Sequence, residues 1–283
     1  MSAHTVTTSA DINMPRLIYG TAWKKERTTE LVVQAILAGF RAIDTACQPK
    51  HYQENLVGEA LSILKQKHGI AREDLFVQTK FTSLSGQDPQ HIPYDQQAPL
   101  QNQVRQSYTR SLANLQTNYI DSLVMHGPMR THEETMKVWR VFEEFHSEGK
   151  VHQLGISNIY DPDGLRRLHK DAQVKPAIIQ NRFYADTGYD REIRRFCQEH
   201  GMVYQSFWTL TANPHILRSQ LIREIASKRS ATPEQIFFRY VLDIGIAPLT
   251  GTTSQQHMKQ DLAVLDMPPL SKEEIAQIDQ MLG

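Results

Sequence analysis

Ile120-Asp121-Ser122-Leu123-Val124-Met125-His126 is a short apolar run closed by an ionisable side chain. Its length and composition suit a buried strand. Just upstream, Val104, Tyr108, Leu112 and Leu115 recur at helical spacing. Downstream, Thr131 and Glu134 read as a capping box, followed by Val138, Val141, Phe142 and Phe145, with Gly149 as the stop. The stretch is therefore a strand between two helices. The same unit recurs in both directions, with apolar runs over 16–20, 40–44, 75–80, 151–157, 177–180, 202–207 and 246–249. Thr28 is placed to cap a helix that Gly39 ends, Asp161-Pro162 and Thr232-Pro233 place a cap before a first-turn proline, and Ser271 with Glu274 forms another capping box. Eight strand-then-helix units without a composition break predict an α/β chain folded as one closed (β/α)8 TIM barrel over 16–283. Residues 1–15 are expected to be a loose, polar lead-in. An open doubly wound sheet is the alternative, but no Gly-x-Gly-x-x-Gly follows the first strand.

Composition narrows the function classes. Of 283 residues, 40% are hydrophobic and the formal net charge is zero, so a packed core is affordable and nothing draws the chain to nucleic acid or anionic lipid. No apolar run reaches the length of a membrane span, and the start lacks the basic and apolar regions of a secretory signal. The two cysteines, Cys47 and Cys197, are far apart and suggest neither a metal cluster nor a disulfide framework, which fits a reducing cytosol. A cytoplasmic monomer acting on a small molecule is the expectation.

In a barrel, the C-terminal ends of the strands share one mouth. Here they bring Asp44, Lys80, His126, Ser157-Asn158, Gln180 and Phe207. A single polar residue at a strand end is usually just solvated; a polar series in register is harder to dismiss. Two long connections, Ser83 to Pro99 and Trp208 to Ser230, follow strand ends and belong to the same face.

These stretches resemble the aldo-keto reductases. The matching motifs are Gly39-Phe40-Arg41-Ala42-Ile43-Asp44-Thr45-Ala46, Val57-Gly58-Glu59-Ala60-Leu61, Thr79-Lys80, Ile120 to Pro128, and Gly149-Lys150-Val151-His152-Gln153-Leu154-Gly155-Ile156-Ser157-Asn158. They occur in family order from about Gly20 to the C-terminus. The resemblance implies reduction of a carbonyl by a nicotinamide hydride, with Asp44, Tyr52, Lys80 and His126 as the catalytic group. The chemistry is coherent. Hydride attack on a carbonyl makes an oxyanion, which needs a proton and hydrogen-bond donors. A lysine beside a tyrosine is expected to lower the phenol's pKa, an aspartate to hold the lysine, and a neutral imidazole to polarise the carbonyl. The tyrosine rests on a shifted loop: the family's usual position is Pro49, and Cys47 to Asn55 carries a net insertion of two residues. Tyr52 is the one tyrosine in that loop, and His51 is the second candidate for the acid or a substrate contact.

The resemblance also implies where a cofactor would sit. Thr21 and Ala22 lie near the nicotinamide, Ser157, Asn158 and Gln180 on its carboxamide, and Phe207 against its ring, with Asp44 and Leu210 adjoining. Thr250, Gly251, Thr252 and Thr253 face phosphate at a helix start, with Asp261 further along. The family's arginine for a 2′-phosphate falls at His257, with Lys259 two residues on. NADPH is the expected cofactor, and because that clamp is weak NADH stays possible. Gly127 stands where a tryptophan often follows the histidine, and Trp23 and Trp208 are candidate apolar walls for substrate, beside His51 and His126. Two other readings stay open. One is a regulatory barrel of the channel β-subunit type or a structural crystallin type. The other is an aldolase with Lys80 as Schiff-base nucleophile, which a nearby Asp44 opposes.

Overall fold

The computed structural model describes residues 4–283. A hairpin comes first, β1 (Thr5–Thr7) pairing antiparallel with β2 (Asn13–Pro15). The barrel strands are β3 (Ile18–Gly20), β4 (Ala42–Asp44), β5 (Phe76–Phe81), β6 (Ile120–Met125), β7 (Val151–Ser157), β8 (Ile178–Arg182), β9 (Val203–Phe207) and β10 (Ala247–Thr250). They pair in parallel in chain order, and β10 closes on β3. The helices are α1 (Thr28–Ala38), α2 (Glu54–His68), α3 (Leu100–Leu115), α4 (His132–Ser147), α5 (Pro162–Asp171), α6 (Arg191–Glu199), α7 (Pro214–Leu217), α8 (Gln220–Lys228), α9 (Pro233–Asp243), α10 (Gln255–Ala263) and α11 (Lys272–Met281). The chain is a single-domain (β/α)8 barrel, as the alternating pattern predicts. No helix among the described residues is long and apolar enough to cross a membrane.

The main core lies between strands and helices. Tyr19, Ile43, Val77, Leu123, Ile156, Ile179 and Tyr204 point outward from their strands onto helix residues such as Ile36, Trp139, Phe142 and Phe237. A smaller cluster of Met14, Ile18, Ala42, Phe76, Ala177, Ile178, Val203 and Ala247 fills the barrel's lower end, at the strand starts. Between that floor and the mouth, the interior is polar. Gln78, Gln153, Gln180 and Gln205 are all buried inside the strand ring.

Three local expectations change. From Thr5 the lead-in is an ordered hairpin, because Met14 is a floor residue with no exposed surface and Thr8 donates to Gln153 at 2.8 Å; Met1 to Ala3 lie outside the described residues. Thr28 begins α1 rather than capping it, since its hydroxyl donates back to the Lys25 carbonyl at 2.7 Å. The connection after β9 contains α7 and α8. The caps at Asp161, Thr232 and Ser271 form, and Thr131 accepts from the Glu134 amide at 3.2 Å.

Candidate active site

Asp44 ends β4, and Lys80 lies near the end of the neighbouring β5. The parallel register brings their side chains together. Lys80 Nζ donates to Asp44 Oδ2 at 2.6 Å and to the Thr45 carbonyl at 2.9 Å, and both residues are buried. Asp44 Oδ1 accepts from Gln78 Nε2 at 2.8 Å and from Gln180 Nε2 at 3.0 Å. Gln205 Oε1 accepts from the same two amides, each at 2.8 Å, and Ser122 donates to Gln78 Oε1 at 2.9 Å. This amide lattice fixes the carboxylate, and the carboxylate fixes the ammonium. Burial pushes the Lys80 pKa down, and Asp44 opposes that shift.

His126 follows β6 at the mouth. Burial, with Lys80 nearby, lowers its pKa to about 3, so the imidazole is neutral at physiological pH. Thr82 Oγ1 lies 2.6 Å from His126 Nδ1. The two share a hydrogen bond whose direction follows the imidazole tautomer: with the hydroxyl donating to Nδ1, the imidazole proton sits on Nε2. The Asn158 amide holds the His126 carbonyl at 2.7 Å.

Tyr52 lies on the loop before α2, its amide bonded to the Gln48 carbonyl at 3.0 Å. Its ring centroid is 5.1 Å from Lys80 Nζ and 6.0 Å from the His126 ring. The phenol's pKa is raised, first by burial and then by the Asp44 charge. This reverses the expected lowering by Lys80: the ammonium is neutralised by Asp44 at 2.6 Å. The His51 ring leans on Trp23 with centroids 4.0 Å apart, and His51 lines the same cleft as Tyr52 and His126. Glu54, directly after the loop, anchors it. This buried carboxylate accepts from Thr79 at 2.5 Å and from Asn114 at 2.9 Å, tying α2 to β5 and α3.

A cleft of about 1120 Å³ extends from this group to the start of α10. Ala22, Ser157, Asn158, Gln180, Phe207, Leu210, Thr250, Gly251, Thr252, His257 and Asp261 all line it. Thr21 does not; it is buried and donates to the Asp44 carbonyl at 2.9 Å. Thr253 and Lys259 also lie outside the lining and are exposed, so the expected help of Lys259 at a phosphate is not supported. The donor set fits a nicotinamide dinucleotide. Gln180 spends Nε2 on Asp44 and Gln205, so Oε1 is what it offers a carboxamide. Asn158 Nδ2 bonds Ser157 Oγ at 3.1 Å, which presents these two side chains as one prearranged surface. At the other end, Lys24 Nζ bonds the Gly251 carbonyl beside the first turn of α10, where a helix start and an ammonium suit a phosphate. Asp261 is held by Thr250 at 2.7 Å, and burial raises its pKa to about 6.

Trp23 and Trp208 stand at the mouth, 57% and 48% exposed, which excludes ordinary core packing for either. Both have left-handed backbone, φ +64° and +56°, an uncommon state for bulky residues that clusters at functional sites. Thr82, Lys24, Gln48 and Arg182 also line the cleft, and no sequence motif marks them. Arg182 is not legible in the sequence because the sixth apolar run ends at Gln180, whereas β8 continues two residues further. Strand alternation then puts Arg182 on the face of Gln180.

Comparisons with known proteins agree with the fold. The model of the Aldo/keto reductase family matches residues 16–282. The 9,11-endoperoxide prostaglandin H2 reductase of Trypanosoma cruzi is 27% identical, covering 98% of this chain and 90% of that protein. The glyoxal reductase of Bacillus subtilis is 26% identical, covering 89% and 83%. The methylglyoxal reductase DkgA of Escherichia coli is 27% identical, covering 95% and 90%. The crystal structure of an aldo/keto reductase from Brucella melitensis superposes with a TM-score of 0.82 at 26% identity, covering 99% of both chains. With the family model spanning nearly the whole barrel and the strand-end residues of its motifs gathered at one mouth, this chain belongs to the aldo/keto reductase family.

Proposed function

We propose that the chain reduces an aldehyde or ketone to an alcohol, with Tyr52 as the general acid and a reduced nicotinamide dinucleotide as cofactor. The observation that carries this reading is the convergence of Tyr52, Lys80 and His126 on one end of the cleft, the phenol ring 5.1 Å from the ammonium. The hydride comes from the nicotinamide when that group is bound. His126 Nε2–H hydrogen-bonds the substrate oxygen and orients it. The raised pKa of Tyr52 keeps its proton in place at neutral pH. As negative charge develops on the substrate oxygen, that proton moves to it, and the phenolate left behind faces the Lys80 ammonium. Asp44 holds Lys80 oriented throughout. A Schiff base at Lys80 would instead require a neutral amine 2.6 Å from a carboxylate, which opposes the aldolase reading.

Ser157, Asn158, Gln180 and Phe207 are the residues we assign to the nicotinamide end, with Lys24, the Thr250–Ser254 turn and His257 at the phosphate end. NADPH remains the expected donor and NADH the second. Among the lining residues of that end, Lys24 and His257 stand with the acids Glu234 and Asp261, so discrimination between the two should be small. Relatives named glyoxal and methylglyoxal reductases support small reactive carbonyls as substrates.

The decisive experiment is a panel of aldehydes and ketones assayed with both nicotinamides on wild type, Tyr52→Phe and His51→Ala. Tyr52→Phe should lose carbonyl reduction by about 100-fold or more. Its cofactor affinity, read by fluorescence quenching, should stay near wild type. Survival of Tyr52→Phe with loss in His51→Ala would transfer the acid role to His51. A wild type inert toward every carbonyl would favour the regulatory barrel.

A further inference from the structure

Arg182 is the last residue of β8, and its guanidinium lines the cleft mouth. It lies 4.2 Å above the Trp208 ring and 5.0 Å from the Tyr184 ring. Those two aromatic faces hold the planar group in place. Its Nε is buried with no hydrogen-bond partner, and no carboxylate among the described residues lies within ion-pair distance of it. Half-buried Arg72 is instead paired with Asp121 at 2.6 Å, and buried Arg239 with Asp243 at 2.5 Å. A preorganised, partly desolvated guanidinium without a counter-charge is a receptor for an oxyanion.

Topology says which oxyanion. In the closed ring β8 stands four strands from β4, directly across the barrel. One layer below, Gln180 of β8 reaches Asp44 of β4 at 3.0 Å, so the two strands face each other over the group formed by Asp44, Lys80 and Tyr52. Arg182 is two residues above Gln180 on the same face, about 7 Å higher. It therefore overlooks the end of the cleft where the carbonyl would react. The phosphate-like features, Lys24 and the start of α10, belong to β3 and β10, which lie on the other side of β9.

We propose that Arg182 binds a carboxylate on the substrate, so that the chain prefers oxo-acids, aldehydes or ketones with an anionic group at the far end from the carbonyl. This rests on the carbonyl-reductase reading above. The guanidinium offers a two-point contact to the carboxylate while Tyr52 and His126 hold the carbonyl across the mouth. Trp208, beneath the guanidinium, makes occupancy visible in fluorescence.

The test compares 4-oxobutanoate with butanal, a neutral aldehyde of the same chain length, in wild type, Arg182→Met and Arg182→Lys. The ratio of kcat/KM for 4-oxobutanoate over butanal should fall ten- to a hundredfold in Arg182→Met, mainly through KM. Arg182→Lys, which keeps charge but loses the fork, should fall between the two and covers the case in which the methionine variant does not fold. Succinate, a dicarboxylate without a carbonyl, should quench wild-type tryptophan fluorescence and inhibit butanal reduction, with both effects weakened in the variants. An unchanged ratio overturns the proposal. So does a rise in the NADPH dissociation constant with the ratio unchanged, since the oxyanion would then be the cofactor pyrophosphate. If wild type reduces neither aldehyde, the carbonyl-reductase reading fails, and succinate quenching that depends on Arg182 still decides whether the anion site exists.

Discussion

At the scale of single residues, the candidate site depends on where protons sit. Burial and Asp44 keep the Tyr52 phenol protonated, while burial and Lys80 keep His126 neutral. Both groups therefore reach the substrate as donors, provided the His126 proton is on Nε2. A Thr82 hydroxyl donating across its 2.6 Å contact with Nδ1 would put it there. Thr82→Val removes that donor at nearly constant shape and lets the imidazole move its proton to Nδ1, which turns Nε2 into an acceptor. Losing a buried hydrogen bond of this kind costs about 1–3 kcal/mol. We expect kcat/KM for carbonyl reduction to fall about ten- to a hundredfold, and Thr82→Ser to restore most of it. Equal activity in the valine variant would show that Thr82 does not set the tautomer. The pH profile gives a second check. With the folded pKa near 3, the wild-type rate should show no acid limb around pH 6.5 from His126.

At the scale of elements, the position of Tyr52 is decided by α2, which starts two residues later. Glu54 fixes the helix start, and Gly58 sets how closely α2 approaches α3: a Cβ there would lie 1.9 Å from the Asn114 carbonyl oxygen. Asn114 is also the residue whose amide holds Glu54. Gly58→Ala must push α3 away and disturb that anchor. Overpacking of a close contact costs about 1–3 kcal/mol, and a lower urea midpoint with a matching loss of activity should show it. An alanine variant as stable as wild type would mean that the helices part without strain. The same elements explain what the sequence could reveal. The eight strands are legible to within two residues of their starts, and the ends at Asp44 and Ser157 because apolar runs stop abruptly at polar residues. Arg182 was not, because Gln180 and Asn181 already look like a strand terminus, and the pairings of Asn181 with Ser206 and Arg182 with Phe207 that extend β8 are long-range. Thr82 was hidden for a similar reason: its partner is 44 residues away.

At the scale of the whole molecule, the mouth and the floor of the barrel are joined through its polar interior. Gln205 accepts from the two amides that hold Asp44, and its own Nε2 approaches Met14 Sδ at 3.4 Å. Met14 comes from the hairpin and has no exposed surface, packed among residues from the strand starts. The residues that the sequence marked as a lead-in thus close the end of the barrel opposite the cleft. Their composition concealed this, because in β2 only the inward-facing Met14 is buried between Asn13 and Pro15. Met14→Ala would open a cavity in the floor without touching the cleft lining. Truncating a fully buried methionine costs about 2–5 kcal/mol, so the urea midpoint should fall clearly. Gln205 keeps its bonds to Gln78 and Gln180 when Met14 is shortened, so Asp44 should stay in place and kcat/KM should change less than about threefold, under half a factor-of-ten step of 1.4 kcal/mol. An unchanged midpoint would show that the hairpin is not part of the folded core. A collapse of activity at full stability would instead mean that the sulfur of Met14 positions the amide lattice, and through it the candidate site.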